Sequence, residues 1–191
     1  TALAAGLARR TVEERAADWE KCLASISDRA LCALYEGLAL EPLAGLVPLQ
    51  RNPHSGLWEF WLWLSGDEPT TDGDGNWRIG PSTGMVMILV PGAHGFHLGA
   101  QAADEHAPNY DPQATHQEGP VQELDLAPFF LSRYEMTQGQ WFRLTGEWPS
   151  ERIPGIGYAG TTRFTRSHPV EQVSLLQAQR ELALWRLAVP T

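Results

Sequence analysis

From Leu38 onward no apolar stretch runs far before proline or glycine interrupts it: "GLALEPLAGLVPLQ", "RNPHSG" and "LWEFWLWLSG" follow one another directly. Proline removes a backbone donor and glycine weakens regular elements, so such a chain folds into short strands and turns, read here as a β-hairpin or meander. The longest clean apolar run, "MVMILV" at 85–90, is far short of the roughly 20 residues that a membrane-crossing helix needs. No membrane partner is therefore expected.

The residues before this region read differently. Ala and Leu abound, Ala16, Trp19, Leu23 and Ile26 share one helical face, and Thr11 to Glu14 reads as a capping box or a charged turn within a helix. A second short helix is predicted from Asp28 to Gly37. One amphipathic stripe has little partner surface of its own, so residues 1–37 read as a helical linker or docking element, and 38–83 as a β-rich connecting segment.

Within the connecting segment, Trp58, Phe60, Trp61 and Trp63 suit either a ligand-stacking platform or a strand covered on both faces. The second is expected, because large aromatic side chains dominate core packing. "DGDGN" at 72–76 is similar to the start of an EF-hand calcium loop. That loop wants glycine at its sixth position and glutamate at its twelfth, where Trp77 and Thr83 stand.

"FFLSRYEMTQGQWFRLTG", residues 129–146, has the grammar of a strand followed by a helix. Phe130, Ser132 and Tyr134 alternate with Phe129, Leu131 and Arg133; Thr137 and Gln140 form a capping box; Met136 and Trp141 form a hydrophobic staple; Gly146 ends the helix in the left-handed conformation. The same signals recur at Ser174 and Gln177, with Val173 and Ala178 as staple. Caps are structural, so this stretch is expected to be a frame, with Arg133 and Glu135 as a structural ion pair or hydrogen-bonding group.

Charge and composition exclude several functions. The net charge is −9 and Lys21 is the only lysine, which argues against a phosphate-tracking surface and hence against nucleic acid as a partner. At 191 residues and 43% hydrophobic content, the chain has material for a packed core. Cys22 and Cys32 make no disulfide framework; ten residues apart on one helix they would stand roughly 15 Å from each other, and ordinary buried or half-buried thiols are expected. His94, His97, His106 and His116, with Asp104, Glu105, Asp111 and Glu118 among them, have ligand chemistry, but glycines at 92, 95 and 99 deny them a helix that would aim two at one ion. No Walker loop, G-x-G-x-x-G or G-x-S-x-G is present. No catalytic, cofactor-binding or metal-binding residue is assigned. The chain begins at Thr1 with no methionine and no basic-then-apolar leader, so a cut N-terminus and a cytoplasmic location are expected.

Four blocks in one order carry a resemblance: "MVMILVPGAHGFHLGAQ" at 85–101, "EGPVQELDL" at 118–126, "FFLSRYEMTQGQW" at 129–141 and "HPVEQVSLLQA" at 168–178. Residues 84–191 resemble the amino-terminal half of the formylglycine-generating enzyme (sulfatase-modifying factor) domain. That family reads P-G-G-x-F-x-M-G, then E-x-P-x-H-x-V, then F-x-I-x-K-Y-E-V-T-x-x-Q-Y, then H-P-V-x-x-V-S-W-x-D-A. Departures are one extra residue between Gly92 and Phe96, Gln122 in place of histidine, and Leu175 in place of tryptophan. The closing "LAVPT" at 187–191 resembles the family's R-L-P-T, after which its members continue.

The resemblance implies an irregular α+β fold, like C-type lectins, incomplete at its C-terminus and preceded by the helical and β segments. For the complete protein it implies an oxygen-dependent oxidase of a cysteine or other thiol, acting on a protein or small molecule. Copper and calcium would be held in the second half, or non-haem iron as in the related sulfoxide synthases; no cofactor falls to this chain, since Cys22 and Cys32 match neither family cysteine. Residues 19–83, through "CALYEGLALEPLAGLVPL" and "SGLWEF", resemble the stretch joining this domain to an upstream serine/threonine kinase in large bacterial proteins. The alternative implied is a non-catalytic, lectin-like binding module of such a signalling protein.

Overall fold

The computed structural model describes residues 2–156 and 163–189. They form a mixed α+β structure with antiparallel strand pairing, and no sheet among them closes into a barrel. The chain gathers into two compact units, one of residues 1–88 and 131–191, the other of residues 89–130. No helix among the described residues is long and apolar enough to cross a membrane. The last two residues of "LAVPT" lie outside the described residues.

The first unit opens with α1 (Ala2–Ala8), a π-helical turn (Arg9–Glu13) and α2 (Ala16–Ser27). Thr11 fixes the turn. Its buried hydroxyl donates to the Leu7 carbonyl at 2.7 Å and accepts from the Gly45 N–H at 2.9 Å, while its own carbonyl accepts from the Trp19 indole at 2.8 Å. The capping-box reading of Thr11 therefore gives way to the charged turn within a helix. On α2 the buried residues are Trp19, Cys22 and Ile26, whereas Ala16 is exposed and Leu23 half-buried. This face lies on the strands that follow, with the Trp19 and Phe60 rings 5.8 Å apart and the Trp58 indole donating to the Ser25 hydroxyl at 3.1 Å. The helix read as a linker thus contributes to a shared core.

The helix predicted at 28–37 is a turn with one 3-10 segment, Ala33–Tyr35. The Asp28 carboxylate takes the Ala30 N–H at 2.8 Å, and Glu36 and Gly37 have φ of 51° and 80°. A side chain that bonds its own backbone competes with the helical ladder, and two successive residues at positive φ end it.

Strands β1 (Leu46–Arg51), β2 (Trp58–Leu62), β5 (Met85–Val90) and β8 (Phe129–Ser132) form a four-stranded sheet in the order β1-β2-β5-β8. Pairing of β1 with β2 and of β2 with β5 is antiparallel. Pro48 is tolerated in β1 because that strand is an edge, and the register shifts just after it. In β2, residues Trp58 to Trp61 are all buried: one face meets α2 and the other holds Glu59 and Trp61. The covered-strand expectation holds for Trp58, Phe60 and Trp61, while Trp63 stands in a half-buried 3-10 turn, Trp63–Ser65. The two-residue strands β3 (Thr70–Thr71) and β4 (Trp77–Arg78) make a small hairpin. Gly66 lets two segments meet, because a Cβ there would lie 2.5 Å from the Ser82 carbonyl and 2.6 Å from the Gly84 nitrogen.

Helix α3 (Gln138–Thr145) follows β8 as its signals predict. The Thr137 hydroxyl accepts from the Gln140 N–H at 3.2 Å, the Gln140 side chain accepts from the Thr137 N–H at 2.9 Å, and Gly146 closes the helix at φ 78°. Helix α4 (Leu175–Ala183) has half of its expected box: Ser174 accepts from the Gln177 N–H, but the Gln177 amide donates to Glu147 at 3.4 Å. No α4 residue is buried. Leu175, Leu176 and nearby Leu184 are 59%, 78% and 76% exposed.

The second unit is built on β6 (Ala93–Leu98) and β7 (Gln122–Leu126), paired antiparallel with a register shift between Ala93 and Phe96. The loop between them is organised by its own side chains. Gln101 accepts from the Ala103 and Asp104 N–H groups, and the Asn109 amide donates to the His97 and Gly99 carbonyls, each at 2.7 Å.

Candidate functional site

Three places hold residues with chemistry, and the first is a buried carboxylate. Glu59 is 0% exposed in the middle of β2. Its Oε1 accepts from the Arg133 guanidinium and from the Asn52 amide at 3.2 Å; its Oε2 accepts from the Trp77 indole at 2.9 Å and the Gln50 amide at 3.1 Å. A carboxylate offers about four acceptor sites, and here four donors take them. Burial opposes the charge on Arg133, yet Glu59 and the Tyr134 hydroxyl hold its pKa above the ordinary guanidinium value. With four donors on its carboxylate and no solvent exposure, Glu59 ties the centre of β2 to the side chains of Gln50, Asn52, Trp77 and Arg133. The ion pair expected of Arg133 and Glu135 is corrected: Arg133 pairs with Glu59, and Glu135 is exposed.

The node was detectable only in part from sequence. A lone carboxylate inside "LWEFWLW" signals a buried charge that demands donors, but Gln50, Asn52, Trp77 and Arg133 stand 7 to 74 residues away, and nothing local selects them.

The second place is the histidine-bearing loop of the 89–130 unit. Among the described residues, no three His, Cys, Asp or Glu side chains come together as metal ligands. His94 meets Asp125 at 3.3 Å with 94% and 71% of their side chains exposed, and His106 meets its neighbour Glu105 at 3.6 Å. Asp104 and Asp111 accept from the N–H groups of His106 and Gln113, and Glu118 from that of Thr115, so these carboxylates serve the loop's turns. Asp125 is held below the usual carboxylate range by the Gly95 N–H and then by His94. In the 72–76 turn, Asp72 likewise accepts from the Asn76 and Asp74 N–H groups and is held low by them.

The third place is a groove of about 380 Å³ lined by Arg9, Arg10, Glu14, Arg15, Trp61 and Trp63. The π turn sets Arg9 and Arg10 side by side, and the Arg10 guanidinium lies 5.5 Å over the Trp63 ring. Arg9 faces Glu14 at 3.6 Å; Arg15 is held by Glu68 and by Asp18 at 3.4 Å, and the bond to Glu68 raises its pKa. The doublet at 9–10 is visible in the sequence, but its aromatic wall comes from Trp61 near the end of β2 and Trp63 in the turn after it.

Cys22 and Cys32 are both buried free thiols, as expected. Burial pushes the Cys22 thiol up to about 12. Cys32 is 1% exposed, with its sulfur 3.9 Å from the Gly56 carbonyl. Comparison of the chain with protein-family models, with curated proteins and with solved structures finds no match in any of the three.

Proposed function

We propose that this chain is the amino-terminal portion of a formylglycine-generating-enzyme-like domain, with residues 84–191 as the first part of its C-type-lectin-like fold and no chemistry of its own. The observation that carries the reading is the order of the four sequence blocks at 85–101, 118–126, 129–141 and 168–178. Two features support it. The strand and capped helix of the third block are tied to the sheet through Arg133 and Glu59, as befits a frame. Leu175 and Leu176 of α4 stand bare, although apolar side chains on a helix ordinarily face a partner surface.

In this reading the complete protein oxidises a thiol of a protein or small molecule with oxygen, and its metal is copper, with calcium, or non-haem iron. Residues of this chain do not fit a copper(I) centre: such an ion needs accessible thiolates, and both cysteines here are buried, Cys22 with its thiol strongly disfavoured from ionising. The metal would be held by other polypeptide. A second reading, a non-catalytic binding module joined to a kinase in the cytoplasm, is favoured by one observation, the arginine–tryptophan groove.

Two measurements test this. The chain incubated with copper(I), oxygen and a Cys-x-Pro-x-Arg peptide is expected to leave the peptide's mass unchanged; formylglycine formation overturns the reading. The codons downstream in the native gene separate the two functions, since a cysteine pair there supports the oxidase and its lack supports the binding module. In the longer product, protection of Leu175, Leu176 and Leu184 from hydroxyl-radical footprinting is expected, and continued exposure contradicts the half-domain.

A further inference from the structure

We propose that the groove between the π turn and the Trp63 turn binds a small oxyanion, a carboxylate or phosphate group, with the Arg10 guanidinium as its principal donor. The inference goes beyond the family reading and does not depend on it.

The argument starts from how Arg10 is held. Thr11, the next residue, is buried and bonded to Leu7, Gly45 and Trp19, so the turn that presents Arg9 and Arg10 is fixed by three hydrogen bonds. The Arg10 guanidinium carbon then lies 5.5 Å from the centroid of the Trp63 ring. An aromatic ring supplies no lone pair, so the cation–π contact leaves the five N–H donors of the guanidinium to be met by an oxygen acceptor. Among the described residues no carboxylate forms an ion pair with Arg10, whereas Arg9 and Arg15 have Glu14, Asp18 and Glu68. Arg10 is thus an exposed guanidinium held beside Trp63 and open to an acceptor that enters the groove.

Chemistry and size narrow the ligand. Three arginines repel a cation, and the predominantly polar lining gives an apolar molecule little to bury. The chain's net charge of −9 discourages polyanions such as nucleic acid, and about 380 Å³ lies near the lower end of small-ligand sites. A compact oxyanion satisfies all three limits. Glu14 is then a competitor: it lines the groove and already faces Arg9 at 3.6 Å, with both side chains more than half exposed, so the ligand would displace it.

The test is titration of the full chain with inorganic phosphate and, in a parallel arm, with succinate, followed by NMR of the arginine Nε–H and tryptophan indole signals. Saturable shifts at Arg10 and Trp63 are expected in at least one arm, and the arm that saturates names the source. Arg10→Met is expected to weaken binding on the order of tenfold or more, as loss of charge-assisted hydrogen bonds does. Glu14→Gln is expected to tighten it roughly two- to fivefold by removing an exposed competitor. Because the second variant gains affinity, a folding defect in the first cannot mimic the result. Shifts that do not saturate in either arm, no tightening in Glu14→Gln, or an equal loss in the distant Arg180→Met overturn the proposal.

Discussion

The guanidinium of Arg133 closes on the carboxylate of Glu59, a side chain wholly excluded from water and 74 residues earlier in the chain. This pair joins the end of the strand at 129–132 to the centre of the sheet. Removing one partner strands the other, which is costlier than the pair's net worth. With its side chain 24% exposed, Arg133 is partly screened, so Arg133→Met is expected to cost about 3 kcal/mol, the lower end for a broken buried pair. Urea unfolding measures it. Replacing Glu59 by Leu also orphans the Asn52, Gln50 and Trp77 donors, so the double variant is expected to lose less than the sum of the two single losses; full additivity would show that Glu59 and Arg133 act independently.

Alkali should unfold this protein through two groups. Burial raises Cys22 from 9.0 to about 12 and Tyr35 from 10.0 to about 12, the latter against the opposing bond from the Trp58 N–H. The folded state prefers both groups protonated. Their contribution is therefore intact below the unfolded pKa values and lost as pH rises from 9 toward 12, on the order of 4 kcal/mol for Cys22 alone. Urea midpoints between pH 7 and 11 should be flat and then fall above 9. In Cys22→Ala the fall should be shallower.

Helix α3 depends on its ends. Thr137→Ala removes the acceptor for the Gln140 N–H and is expected to cost about 1 kcal/mol. Gly146→Ala forces a Cβ into φ 78° where no neighbour crowds it, so the cost is conformational alone, about 1 kcal/mol. Thermal melts resolve both.

Gly66→Ala is a different kind of change. The backbone at Ser82 and Gly84 lies where the methyl group must go, and backbone cannot rotate aside as a side chain can. Destabilisation of about 1–3 kcal/mol or more is expected, as for other overpacked sites. A midpoint within error of the parent would show that the two segments separate freely.

The bare leucines at and just beyond α4 make a prediction of opposite sign. Leu176→Ser and Leu184→Ser remove apolar surface that the chain does not bury, so the melting midpoint should hold while self-association, followed by sedimentation velocity, falls. Loss of stability comparable to a core substitution would contradict the exposure described.

Much of the local structure was legible in the sequence. The box of Thr137 and Gln140, the stop at Gly146 and the covered aromatic strand at 58–61 follow from bonds and periodicities that span a few residues, and such signals survive whatever the rest of the chain does. The helix expected at 28–37 failed where a local competitor, the Asp28 side chain, outbid the ladder.

Tertiary structure decided what charge and chemistry mean. That Glu59 meets four donors, that Cys22 and Cys32 are sealed, that no three potential ligands among the described residues converge and that Arg10 lies over Trp63 all depend on strand order and on how loops return. Sequence position carries no such information, because an electrostatic partner is chosen by distance in space, and the burial that sets its strength is a property of the packed chain.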